Sequence, residues 1–292
     1  MTDTAHRDAP GPRTGYAPVN GLRVYHEVHG PDPEPDASPV LLLHGAYMTT
    51  GDLAPLVSAL AATRRVVVPD LQAHGRTADA DRPITYEGLA DDAAGLLAHL
   101  GIERADVMGF SMGGAAALQL AIRHPEVVRT LAVVSATHAS AGIQPELLAM
   151  IPGITPEVFA GSPMEATYRA VAPDPGHFPV LVEKLKTLDE TPFDWPAEDV
   201  ARITAPTLVV AGDADAIRVE HVVELFRLLG GGAMGDLSGL PRARLAILPG
   251  TTHFMPPGSG VLDRLDWLVP MLLALFDAPQ EGPEGVTPGP AG

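Results

Sequence analysis

The segment Gly109-Phe110-Ser111-Met112-Gly113-Gly114 sets a serine between glycines, directly after an apolar run over 105–108 and directly before a helix-length segment that reaches His124. A G-x-S-x-G spacing between strand and helix lets the chain turn sharply and lifts the serine hydroxyl to the strand's end. There the N–H groups of a helix N-terminus favour developing negative charge. A hydroxyl is a weak nucleophile at neutral pH, so the chemistry also needs an imidazole to take its proton and a carboxylate to orient that imidazole. Of eleven histidines, His253 follows the last predicted strand beside small neighbours, Gly250, Thr251 and Thr252, which let its ring turn toward the sheet edge. His44 and His74 are its rivals. Asp213 and Asp215 follow another predicted strand; Asp213, nearer that strand, suits an Asx turn with loop backbone, and Asp70 is an outside candidate.

Such side chains meet only if the fold brings them to one edge. Short β-branched or Leu-rich runs alternate with helix-length amphipathic segments, the pattern of an α/β fold with a mostly parallel central sheet and helices on both faces. The spacing predicts strands over 22–29, 40–43, 65–69, 105–108, 130–135, 207–211 and 245–248. It predicts helices over 52–61, 86–100, 112–124, 219–229 and 261–276. Residues 137–203 separate two strands by far more than one crossover helix requires and are punctuated by proline. They are expected to form a helical cap insertion over a pocket at the carboxyl edge of the sheet, where open α/β folds bind ligands. The Gly-rich connection 230–242 is expected on the side away from that pocket.

Composition narrows the function. A single domain of 292 residues buries about three-quarters of the surface its unfolded chain exposes, so no staple is required. The absence of cysteine removes disulfides, thiolate metal sites and a Cys nucleophile. A net charge of −17, with Lys184 and Lys186 the sole lysines, argues against nucleic acid and anionic lipid as partners. The apolar stretch 261–276 carries Asp263, Arg264 and Asp266 and is too short to span a bilayer, so it reads as a buried terminal helix. Residues 1–15 lack the hydrophobic centre of an export signal, which predicts a cytoplasmic protein. Residues 1–15 and 278–292 are expected to be disordered tails flanking one domain over 16–277.

In these motifs and their order the sequence resembles the α/β-hydrolase family across nearly all of residues 20–276. His44-Gly45 resembles the family's oxyanion loop, and the segment from Asp70 to Thr77 its D-x-x-G-H-G-x-S/T loop, with Ala73 in place of the usual glycine. Gly212-Asp213-Ala214-Asp215 resembles the segment carrying the catalytic acid, and Gly250-Thr251-Thr252-His253 the histidine loop. The resemblance implies a Ser111, Asp215, His253 triad, Asp215 being chosen over Asp213 by the G-x-x-D pattern. It also implies an oxyanion hole made by the amides of Met112 and Ala46, with Tyr47 the alternative to Ala46. His44 and His74 take structural roles in that pattern. Tyr47, Phe110 and Phe254, which adjoin the motifs, are expected to contact substrate. The expected reaction is hydrolysis of a small ester, lactone or related carbonyl compound with an apolar acyl or ring-containing part, through an acyl-enzyme and without metal or organic cofactor. Family relatives that open epoxides or cleave carbon–halogen bonds place Asp where Ser111 stands, which argues against both. Ligand reception on the same fold and cofactor-free perhydrolase chemistry are the competing readings.

Overall fold

β-branched and Leu-rich runs build the frame. The computed structural model describes residues 11–31 and 38–278. Its strands are β1 (Arg13–Val19), β2 (Leu22–His29), β3 (Val40–Leu43), β4 (Val66–Pro69), β5 (Ala105–Phe110), β6 (Val128–Val134), β7 (Thr207–Ala214) and β8 (Ala243–Thr252). They form one sheet in the order β1-β2-β4-β3-β5-β6-β7-β8, antiparallel over β1, β2 and β4 and parallel from β4 to β8.

Successive side chains of the inner strands point to opposite faces, so both faces must be apolar and both must be covered. Leu41, Leu43, Val107 and Val209 pack on one face beneath α2 (Tyr86–His99), α3 (Met112–Arg123) and α8 (Val219–Leu228). Val40, Leu42, Met108 and Val210 pack on the other beneath α1 (Ala54–Ala61) and α10 (Leu265–Phe276). Among the described residues no helix is long and apolar enough to cross a membrane.

The segment between β6 and β7 folds into short helices, chiefly α4 (Pro145–Met150), α5 (Pro163–Val171), α6 (Phe178–Glu190) and α7 (Ala197–Ala201). Proline at the first turn starts several of them. The apolar face of α6, namely Phe178, Leu181, Val182, Leu185 and Leu188, joins the core that covers the α3 side of the sheet. The connection 230–242 contains α9 (Gly235–Ser238) and enters β8 where Ala243 pairs with Thr207, at the amino edge of the parallel strands.

The expected tail over 1–15 is too long. Arg13, Thr14 and Gly15 pair with Val28, Glu27 and His26 in a hairpin. The turn is Asn20-Gly21, with φ of 47° and 83°, a sequence that supplies two left-handed residues and matches the twist of the flanking strands. Asn-Gly between alternating residues was the available signal, and the Pro/Gly composition around it masked the first strand. The remainder of that tail, residues 1–10, and nearly all of the expected tail over 278–292 lie outside the described residues.

Candidate active site

The parallel register decides which loops meet. Phe110 of β5 lies beside Val134 of β6, and Ala214 of β7 beside Thr252 of β8. The residues that follow these strand ends are Ser111, Ser135, Asp215 and His253. Four side chains far apart in sequence are thus brought to one edge by strand pairing alone.

Ser111 sits at φ 54° and ψ −119°, outside the regions where non-glycine residues rest. Two glycines make that turn possible by close approach. A Cβ on Gly109 would stand 2.0 Å from the Gly113 carbonyl oxygen, and one on Gly113 would stand 2.2 Å from that of Leu43. The Ser111 N–H donates to the Val134 carbonyl at 2.9 Å, and its own carbonyl accepts from Ala115 at 3.0 Å, which locks the turn between β6 and α3.

His253 Nε2 lies 2.9 Å from Ser111 Oγ, and its Nδ1 lies 2.7 Å from Asp215 Oδ1. With Nδ1–H donating to the carboxylate, Nε2 is left to accept the serine proton. The Phe110 ring, centroid 5.0 Å from that of His253, packs beside the imidazole. Asp215 is buried, and its carboxylate also accepts from the Ser135 hydroxyl at 2.6 Å, the Gly212 N–H at 3.0 Å and the Ile217 N–H at 3.1 Å. Burial alone would raise its pKa, but bonding to His253, Ser135 and the Gly212 amide holds it below the ordinary carboxylate value. Gly212 matters here too, since a Cβ on it would meet the Thr251 carbonyl oxygen at 2.0 Å. Ser135 was not anticipated. The available signal was a polar residue at the carboxyl end of an apolar strand.

The rival groups hold backbone. Asp213 is exposed and accepts from the Thr251 N–H at 3.0 Å. Asp70 accepts from the amides of Thr50 and Arg76, each at 2.7 Å. His44 Nδ1–H donates to the Gly45 carbonyl at 2.8 Å while its Nε2 accepts from Leu71 at 3.0 Å. His74 likewise uses Nδ1–H on the Gln72 carbonyl at 2.8 Å and Nε2 for the Tyr47 N–H at 3.2 Å. Burial pulls His44 down to about 4 and His74, which also faces His44, to about 3, so both rings stay neutral. The Tyr47 amide is therefore engaged by His74, while Ala46 lines one cavity with Ser111. Ala73 adopts φ 63°, the left-handed conformation that a glycine would take without strain.

A cavity of about 140 Å³ opens over Ser111, with Ala46, Met112 and His253 in its wall. None of Tyr47, Phe110 and Phe254 lines it, which corrects the expected substrate contacts. Phe110 is 2% exposed and spends its surface on the core and the His253 ring. Tyr47 packs on Phe159 at 4.7 Å with its hydroxyl buried. Phe254 borders a separate groove with Met48, Leu53 and Leu262. The cavity is instead closed by Tyr86 and by residues of the β6–β7 segment, including Ile143, Leu147, Ile151, Asp189 and Phe193. Adjacency in sequence to a motif misled here: Phe110, at the end of β5, faces the core, and the loop residues Tyr47 and Phe254 pack away from the cavity. Among the described residues no three His, Asp or Glu side chains converge as a metal site.

A family model described as alpha/beta hydrolase fold matches residues 38–153. A protein of Caulobacter sp. strain K31 named carbamate hydrolase RutD is 41% identical over 118 residues, or 40% of this chain and 43% of the relative, so that match spans less than half of the relative's length. A protein of the same name from Azorhizobium caulinodans is 27% identical over 82% of this chain and 91% of its own. The crystal structure of carboxylesterase CesB from Bacillus subtilis superposes with a TM-score of 0.70 at 17% identity, covering 91% of this chain and 92% of that one. The strand order, the turn at Ser111 and these likenesses agree: the chain has the α/β-hydrolase fold.

Proposed function

We propose that the chain is a serine hydrolase that cleaves a small carboxylic ester, lactone or related carbonyl compound through an acyl-enzyme. One observation carries the reading: the continuous relay from Ser111 Oγ to His253 Nε2 at 2.9 Å and from His253 Nδ1 to Asp215 at 2.7 Å, opening onto a cavity. Ser111 Oγ attacks the substrate carbonyl as its proton passes to Nε2. Asp215, held ionised by its hydrogen bonds, then faces an imidazolium and stabilises it. The amides of Ala46 and Met112 donate to the oxyanion, each contributing about 3 kcal/mol. His253 returns the proton to the leaving group, and water activated by the same nitrogen releases the acyl group. The relatives named carbamate hydrolase and the structural neighbour named carboxylesterase both act by name at a carbonyl carbon, which supports this class.

A fluorophosphonate probe is expected to label the protein stoichiometrically at Ser111, and p-nitrophenyl butanoate to be turned over. Ser111→Ala should lose labelling, and both Ser111→Ala and His253→Ala should lower kcat by at least about 10⁴-fold. Labelling without turnover across a broad ester panel would move the reading to a ligand receptor. No labelling at all would end it.

A further inference from the structure

The roof of the cavity holds a charge that the chemistry above does not use. Asp189 lines the same cavity as Ser111, and among the described residues it is the sole carboxylate of the wall, which holds no Lys or Arg. Among the described residues no hydrogen bond or ion pair reaches the Asp189 carboxylate, in contrast to Asp70, Asp92, Asp106 and Asp215, each of which is buried and bonded. It occupies a position where the helix pattern calls for an apolar side chain: the half-buried Asp189 follows the buried Leu181 and Leu185 of α6 at the next i, i+4 step. It also sits in the last turn of α6, where the helix dipole opposes negative charge. Burial pushes its pKa up to about 6. The fold thus places a partly dehydrated, unpaired carboxylate at the unfavourable end of a dipole, facing a cavity.

A cation in the cavity relieves all three penalties at once, whereas a neutral donor relieves one. The wall suits a cation in a second way. Tyr86 and Phe193, whose ring centroids lie 5.1 Å apart at 65°, both line the cavity and offer aromatic surface to a positive group. The chain's net charge of −17 favours approach of cations over anions.

We propose that Asp189 is a specificity-determining residue that receives an ammonium group borne by the substrate a few bonds from the scissile carbonyl, so that the substrate class is a small amino-substituted ester or related carbonyl compound. This deepens the hydrolase reading and rests on it for the position of the carbonyl over Ser111. A cavity of about 140 Å³ suits a small substrate.

The test compares two esters of equal shape, the p-nitrophenyl esters of 3-aminopropanoate and butanoate, on the full chain. The native protein is expected to favour the amino ester by at least about tenfold in kcat/KM, and Asp189→Asn to lower that ratio by at least about tenfold. Preference of the native protein for butanoate, or a ratio within about twofold of native in the variant, would overturn the proposal. A calorimetric titration with propylammonium, against 1-propanol as its neutral counterpart, separates the two readings. Binding of the amine to the native protein but not to D189N, with neither ester turned over and Ser111 unlabelled, would keep the Asp189 site while ending the hydrolase reading. Equal binding of amine to both proteins, or to neither, would overturn the Asp189 site whatever the turnover.

Discussion

Asp215, buried behind the His253 of the cavity floor, and Asp189, half-buried on its roof, are both carboxylates at least partly withdrawn from water, yet their surroundings treat them in opposite ways. Asp215 accepts hydrogen bonds from Ser135, Gly212, Ile217 and His253 and is held ionised. Asp189 has no such partner among the described residues and its pKa is raised to about 6. The floor is also closely packed at its glycines, where Gly109, Gly113 and Gly212 leave no room for a methyl group, while in the roof segment a methyl group on Gly153 would meet nothing within 4 Å. The difference teaches that polar satisfaction is concentrated around Asp215, where hydrogen bonds fix the His253 contact. The roof retains an electrostatic deficit that a ligand can fill.

The sharpest way to break the comparison is Asp215→Asn, which keeps the shape but removes the charge that fixes the His253 tautomer. Its expected effect is a fall in kcat of about 10³–10⁴-fold with p-nitrophenyl butanoate. A loss below tenfold would mean that the floor does not work as described. Packing gives the next largest effect. Gly113→Ala drives a methyl group against the Leu43 carbonyl oxygen and is expected to cost about 3 kcal/mol or more in urea unfolding. Gly153→Ala, in the roof, should stay within about 0.5 kcal/mol.

The two acids should also show opposite signs in stability against pH. The native pKa of Asp189 is raised from 3.8 to about 6, so between those values the unfolded chain releases a proton that the native state keeps, and stability falls as pH rises through that window. Asp189→Asn should therefore be more stable than the native protein at pH 8, by about 1–3 kcal/mol once residual exposure is allowed for, and equal to it near pH 4. Asp215 has a depressed native pKa, so its contribution is present at neutral pH and lost as pH falls. Asp215→Asn should be the less stable protein at pH 7, with the gap closing on acidification. Thermal unfolding across about pH 2–8 measures both, and like signs for the two variants would erase the distinction between floor and roof. The smallest effect is expected from Ser135→Ala, which removes one of several donors to Asp215 and should lower kcat/KM by about threefold to tenfold.

Much of the site was legible because its chemistry is tied to local backbone needs. Ser111 could be found from the glycines that its turn requires, and His253 from the small residues before it. Asp215 was separated from Asp213 by resemblance to a family pattern. The structure gives the physical distinction: Asp213 reaches loop backbone at Thr251, whereas Asp215 turns inward to His253. The inner strands were legible from their apolar runs, but β7 and β8 extend further than those runs, to Ala214 and Thr252. That added length, paired in register, delivers the acid and the imidazole to each other. β1 was missed because its residues are polar and only the Asn20-Gly21 turn betrays it.

The sequence by itself determined the alternation of strands and helices, the turn at Ser111 and the kinds of side chain available for proton transfer, since each depends on residues close together in the chain. Only the tertiary structure decided that Ser135 supports Asp215, that Phe110 braces the imidazole instead of meeting substrate, and that Asp189 looks into the cavity. These relations join residues of different strands and of the β6–β7 segment. Their physical basis is strand register and helix packing, which no local spacing encodes.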